Sequence, residues 1–270
     1  MNYFTKYKIN DHIYQLKDPM GVLTTLIIGN EKALLIDTSY GIGNLKQEIM
    51  ELTNLPLIVV NSHGHMDHSC GNYLFDEVYI SKKDIPLCLT HNSVDWRKRN
   101  LEVARCNHLI DESYDEQKYL FSGAGKLIPL EDDAIFNLGN LTIKAINMEG
   151  HTKGSLGFLI VEDQILVTSD AACPFVWLFL EESTPVHIYI DMLERVLKIN
   201  FIAILLGHGN GKLLDKTRMI EFYEVAKSID INKSVKVSFH NFENCNSYCY
   251  TTYKLYDQDG AGIIFDPEKM

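Results

Sequence analysis

The sequence predicts an α/β fold, and three observations predict it. Short apolar runs rich in β-branched residues, such as 55–60, read as buried strands. Stretches with apolar positions at helical spacing, 188–199 and 213–229, are interleaved with them. Histidine or aspartate follows closely behind several strand-like runs, where open α/β sheets carry their sites.

The elements follow in order. Residues 11–16 read as an edge strand, and 22–28 and 33–36 as strands joined by the turn 29–32, a hairpin suited to the antiparallel part of a sheet. The second ends in Asp37-Thr38. Asn44 is placed to cap a helix over 45–52. Strand 55–60 runs into Asn61-Ser62-His63-Gly64-His65-Met66-Asp67-His68. Strand 77–81 and a helix to about 89 come next. The stretch 90–122 is charged and mainly helical in propensity, leaving open a lid over the site or a peripheral insertion. Strands at 126–130, 134–139 and 141–146 lead to Glu149-Gly150-His151. A hairpin over 157–161 and 165–168 leads to Ser169-Asp170. The aromatic run 173–180, the helix 188–199 and a strand over 201–206 ending in Gly207-His208-Gly209 complete the pattern. A long helix over 213–229 and a final strand at 263–265 are expected. No repeat or linker divides the chain, so residues 1–270 read as one domain.

Composition bounds the function. With 46% apolar residues the chain supports a sizeable core, and a net charge of −11, from 25 Lys+Arg against 36 Asp+Glu, argues against a nucleic-acid partner. Residues 1–10 hold no apolar signal core and no run spans a bilayer, so no membrane partner is expected. The six cysteines lack scaffold spacing, which favours free thiols and a cytoplasmic location.

A lone His-x-His is often plain polar loop. Here three of the 10 histidines share one short turn with an aspartate. Adding the residues behind the other strands gives His63, His65, Asp67, His68, His151, Asp170 and His208. Imidazole with carboxylate suits divalent metals such as zinc. Seven donors exceed one tetrahedral ion and suit two ions sharing a carboxylate.

With His63-Gly64-His65-Met66-Asp67-His68 as its signature, the chain resembles the metallo-β-lactamase-fold metal-dependent hydrolases, glyoxalase II-like members included. The resemblance runs from the opening hairpins to His208. It implies an αββα sandwich, two mixed β-sheets flanked by helices. It implies two Zn²⁺, one on His63, His65 and His151 and one on Asp67, His68 and His208, with Asp170 and a hydroxide bridging. Iron or manganese fits the same donors. It also implies that Asp37 supports the ligand loop, whereas the residues alone leave open a turn aspartate.

The expected reaction is hydrolysis of a small acyl substrate, a thioester or ester, by metal-bound hydroxide oriented by Asp67. A lactone is the alternative. A β-lactamase, a phosphodiesterase and a non-catalytic metal-binding protein rank lower: Asp170 departs from the zinc β-lactamases, no basic patch serves a phosphodiester chain, and no donor is missing. Lactonases of this kind carry a tyrosine just after the bridging aspartate; here Ala171-Ala172-Cys173 follows. For the basic pair that holds glutathione in glyoxalase II, Lys212 is the nearest candidate. Phe175, Trp177 and Phe179 are expected to wall the substrate. The same run also suits core packing or a contact with a second copy, a homodimer.

Overall fold

The computed structural model describes residues 3–239, 242, 244–257 and 259–270. Its first sheet grows from hairpins. Strands β1 (Thr5–Lys8), β2 (Ile13–Lys17), β3 (Leu23–Ile28) and β4 (Ala33–Ile36) pair antiparallel in chain order. Strands β5 (Leu57–Val60), β6 (Val78–Ser81) and β7 (Leu127–Leu130) then extend the sheet in parallel. The turn before β4 is closed by Gly29 N–H donating to the Lys32 carbonyl at 2.9 Å. The edge is β1, and the strand expected there lies one place inward as β2. Parallel pairs need crossovers. These hold α1 (Leu45–Met50), α2 (Met66–Ser69) and, between β6 and β7, α3 (Ile85–His91), α4 (Val94–Cys106) and α5 (Glu116–Leu120). Asn44 caps α1 by accepting from Gln47 N–H.

The second sheet contains β8 (Ile135–Asn137), β9 (Thr142–Asn147), β10 (Leu156–Ile160) and β11 (Ile165–Ser169). After β12 (Phe175–Leu178), which joins a different sheet, it gains β13 (Ala203–Leu206) and β14 (Leu214–Asp215). The order is β14-β13-β11-β10-β9-β8, with β11 and β13 parallel and the other pairs antiparallel. Every residue of β10 and β11 is buried. That explains their unbroken apolar character, since both faces are covered. On one face Phe158, Ile160, Val167 and Leu205 meet Ile27, Leu34, Ile36 and Val60 of the first sheet. On the other, Leu159, Leu166 and Ile204 pack under α6 (Val186–Leu197) and α7 (Thr217–Lys227). Helix α6 buries Val186, Tyr189, Met192, Leu193 and Val196, a stripe at three- and four-residue spacing. Each large apolar side chain so buried contributes about 1.5–3 kcal/mol. Helix α1 packs Leu45 and Ile49 on the outer face of the first sheet. The architecture is the αββα sandwich of two mixed sheets.

One local expectation changes. The stretch 213–229 is not one helix: β14 pairs with β13, and α7 begins only after Asp215 Oδ1 accepts from Thr217 N–H at 2.8 Å. The strand expected at 263–265 is present as the last one in the chain. It forms a third sheet of order β12-β17-β16-β15, with β15 (Val235–Lys236), β16 (Tyr248–Thr251) and β17 (Gly262–Phe265). Strand β15 has two residues, both exposed, too few to carry an alternating pattern.

The helical stretch near 90–122 is anchored by Arg97, which is fully buried. Its guanidinium donates to the carbonyls of Cys70 (2.9 Å) and Gly123 (2.7 Å) and lies against the Tyr73 and Tyr119 rings. Among the described residues no helix is long and apolar enough to cross a membrane.

Candidate metal centre

The end of β5 delivers the signature turn. Asn61 Nδ2 donates to the His68 carbonyl at 2.9 Å and folds residues 61–68 back on themselves. His63 and His65 precede α2, and Asp67 and His68 lie within its single turn. His151 follows β9, Asp170 follows β11 and His208 follows β13. All seven side chains fall into two clusters: His63, His65 and His151, and Asp67, His68, Asp170 and His208. Within each, the donor atoms lie within 4.8 Å of one another.

The outer ring nitrogens settle which atoms point inward. His151 Nδ1 lies 2.9 Å from the Trp177 carbonyl and His65 Nε2 lies 2.7 Å from Glu182 Oε1. Both partners only accept, so His151 Nε2 and His65 Nδ1 carry lone pairs. Those two atoms face each other at 2.9 Å. Two lone pairs that close call for a cation. His68 Nδ1 lies 2.9 Å from Asp37 Oδ2, which frees His68 Nε2 inward in the same way. Ser62 Oγ donates to Asp37 Oδ2 at 2.8 Å and so accepts from His63 Nδ1 at 2.9 Å. His63 Nε2 and Asp170 Oδ1 are buried without any partner. These orphaned donors and facing lone pairs fit divalent ions. Asp170 groups with the second cluster, its Oδ2 3.2 Å from His208 Nε2 and 3.6 Å from His68 Nε2.

The electrostatics separate the clusters. Burial, then the neighbouring imidazoles, push His63 well below the usual histidine range, and burial with His65 lowers His151 to about 4. Burial also opposes charge on His208, but the Asp170 and Asp67 carboxylates outweigh it and raise it to about 10. The same balance, with Asp37 added, lifts His68 well above its ordinary value. Burial would raise Asp67 and Asp170, yet the His68 and His208 charges hold both well below the carboxylate range.

Two buried carboxylates brace the turn. Asp37 sits at φ 67°, a left-handed conformation uncommon outside glycine, and also accepts from Ser62 N–H at 2.7 Å. Asp84, which sequence reasoning missed, accepts from the N–H groups of Gly64 (2.9 Å) and Gly154 (2.8 Å) and from Thr152 Oγ1 (2.7 Å). It thereby ties the signature turn to the His151 turn. The glycines serve close approach here: a Cβ on Gly154 would lie 2.5 Å from Asp84 Oδ1, and one on Gly207 2.5 Å from Asp170 Oδ1.

The clusters open into a cavity of about 610 Å³. Phe175 and Trp177 line it, and Phe242 and Tyr256 join them from the third sheet's loops. Phe179 does not line it: β12 ends at Leu178, and Phe179 turns inward, 4% exposed, to stack on Phe239. Lys212, Tyr40, His91 and Glu182 also line the cavity. The last three were missed, being single residues without a motif around them.

Scaffold and donors together define a class, the two-cluster metallohydrolase architecture. A family model described as the metallo-beta-lactamase superfamily matches residues 18–208, and the chain belongs to that superfamily. Over 160 residues it is 25% identical to "Acyl-coenzyme A thioesterase MBLAC2" of Bos taurus, covering 54% of this chain and 56% of that protein. Over 153 residues it is 24% identical to "Probable metallo-hydrolase YqgX" of Bacillus subtilis, covering 56% and 66%. The chain thus spans little more than half of the length of the first of these relatives. Among solved structures, the metallo-beta-lactamase from Pontibacter korlensis matches with TM-score 0.58 at 14% identity, over 84% of this chain and 100% of that one. The sec-alkylsulfatase Pisa1 from Pseudomonas sp. matches with TM-score 0.62 at 14% identity, over 83% and 42%. At that identity the two structural likenesses concern the fold.

Proposed function

We propose that the chain is a binuclear metal-dependent hydrolase of small acyl substrates, a thioester or open ester, and that it works in the cytoplasm. The observation that carries this reading is the pair of donor clusters opening into a cavity walled by Phe175 and Trp177. His63, His65 and His151 would hold one ion. Asp67, His68 and His208 would hold the other, with Asp170 shared. Zinc suits these donors, as do iron and manganese. A bound pair of such ions supplies a field that lowers the pKa of water and polarises a carbonyl.

The chain's own residues do the rest. Asp67, held as a carboxylate at the cavity, accepts a hydrogen bond from the attacking water and orients it. Phe175 and Trp177 offer an apolar surface to the acyl group and keep bulk water from it. No side-chain nucleophile is required: burial pushes the Cys173 thiol far up, so it stays protonated. All six cysteines are free, which suits a reducing compartment. The thioesterase name of the Bos taurus relative supports the acyl class.

One observation favours the lactone as second reading. Tyr40 lines the cavity, and burial, then Asp67, keep its phenol protonated. A neutral phenol there suits an alkoxide leaving group, a donor that matching behind Asp170 did not supply. The test is a turnover screen of the metal-loaded chain on thioesters, lactones, aryl esters, β-lactams and bis-phosphodiesters. The highest kcat/KM is expected on a thioester or ester. A phosphodiester turned over faster than every acyl compound would reverse the reading.

A further inference from the structure

Residues 177–184 embrace the first cluster from outside. The Trp177 carbonyl takes the His151 Nδ1 proton, and Glu182 Oε1 takes that of His65 Nε2 at 2.7 Å. Ser183 Oγ donates to the His151 carbonyl at 2.8 Å, and Thr184 N–H to the Gly150 carbonyl at 2.9 Å. This loop is itself held from far along the chain. Lys269 Nζ donates to the carbonyls of Leu180, Glu181 (3.4 Å) and Ser183 (3.1 Å). An ammonium has three donors, and here three carbonyls of one loop receive them. The superfamily match ends at His208, so Lys269 lies outside it and Glu182 inside.

We propose that Glu182 is a positioning residue for the first cluster, fixing the rotation and tautomer of His65 that leave Nδ1 free for a metal ion, and that Lys269 holds the Glu182 loop in register. The proposal rests on the metal-binding part of the proposed function and not on hydrolysis. Its physical basis is that an imidazole ligand donating its far N–H to a carboxylate is fixed in orientation and made more basic. The second cluster has its own support in Asp37, which touches His68 and not His65. Loss of Glu182 should therefore act on one of two metal affinities.

The experiment titrates the metal-free full chain with Zn²⁺ against a chromophoric chelator and records Co²⁺ d–d spectra in parallel. His151→Ala identifies the signal of the first cluster. Glu182→Ala is expected to weaken that affinity about 10- to 100-fold. It should alter the matching Co²⁺ bands and leave the other affinity within about twofold. Glu182→Gln, which keeps an acceptor oxygen, should recover part of the loss, and Lys269→Met should give a smaller loss at the same site. Unchanged affinities and spectrum in Glu182→Ala would overturn the proposal. So would equal weakening of both sites with a lowered Tm, which marks a general structural role. A parent chain that takes up no metal would overturn both readings. Two bound ions without turnover would remove the hydrolase reading alone, because the readout here is metal affinity.

Discussion

Asp37 Oδ2 and His68 Nδ1 stand 2.9 Å apart, both side chains almost wholly buried. The pair turns His68 Nε2 toward the second cluster, and Asp37 also holds Ser62, which in turn holds His63. Asp37→Ala should lower metal affinity about 10- to 100-fold. The second cluster should suffer more than the first, because its contact with Asp37 is direct. Chelator competition checks this, and an equal effect on both sites would count against the assigned role.

Asp67→Asn should lower turnover on the order of 10²–10⁴-fold, the usual range for a lost acid–base group. Metal content must be measured alongside, since Asp67 also belongs to the second cluster. A fully loaded variant with parental kcat would sink the assignment.

Metal loading should depend on pH differently at the two clusters. In the metal-free chain His208 holds its proton up to about pH 10, and His68 is raised as well, so an ion entering there must expel protons. Each expelled proton weakens apparent affinity tenfold per pH unit lost, or about 100-fold between pH 8 and 6. His151, lowered to about 4, and His63, also lowered, are already neutral in that window and add no such competition. Acidification should thus empty the second cluster first. Zinc titrations at several pH values check this, and parallel slopes for the two sites would contradict it.

Trp177→Ala should lower kcat/KM for a bulky apolar acyl substrate about 10- to 100-fold, the worth of one buried aromatic contact. An acetyl substrate should change little. A uniform loss across both would point to a displaced His151, whose Nδ1 bonds to the Trp177 carbonyl.

The donors were legible because they combine two local signals, a strand-like run and a His or Asp just behind it. Asp37 also follows a strand, but its support of the ligand loop came from the resemblance, because the residues alone left open a turn aspartate. Glu182 was not: it lies 117 residues from His65, with no motif to connect them. Asp84 joins turns 20 and 70 residues away in the same silent fashion. Of the aromatic run behind Asp170, Phe175 and Trp177 line the cavity and Phe179 does not, because the strand stops one residue earlier. The sandwich itself followed from the signature and not from periodicity, since fully buried strands such as β10 carry no period to read.

The third sheet bears on the order in which the molecule can be assembled. Among the described residues β12 has one strand neighbour, β17, which pairs with it in parallel from Phe175↔Gly262 to Leu178↔Phe265. On a ribosome every candidate ligand emerges well before Gly262–Phe265 does. The ligand turns can therefore gather while the aromatic wall still lacks its backing, and such non-local pairing is slow to form. A nascent chain halted before β17 should take up metal yet bind apolar acyl groups poorly. On the proposed reading, chaining the wall to so late a segment would leave an unfinished copy unable to retain an acyl substrate.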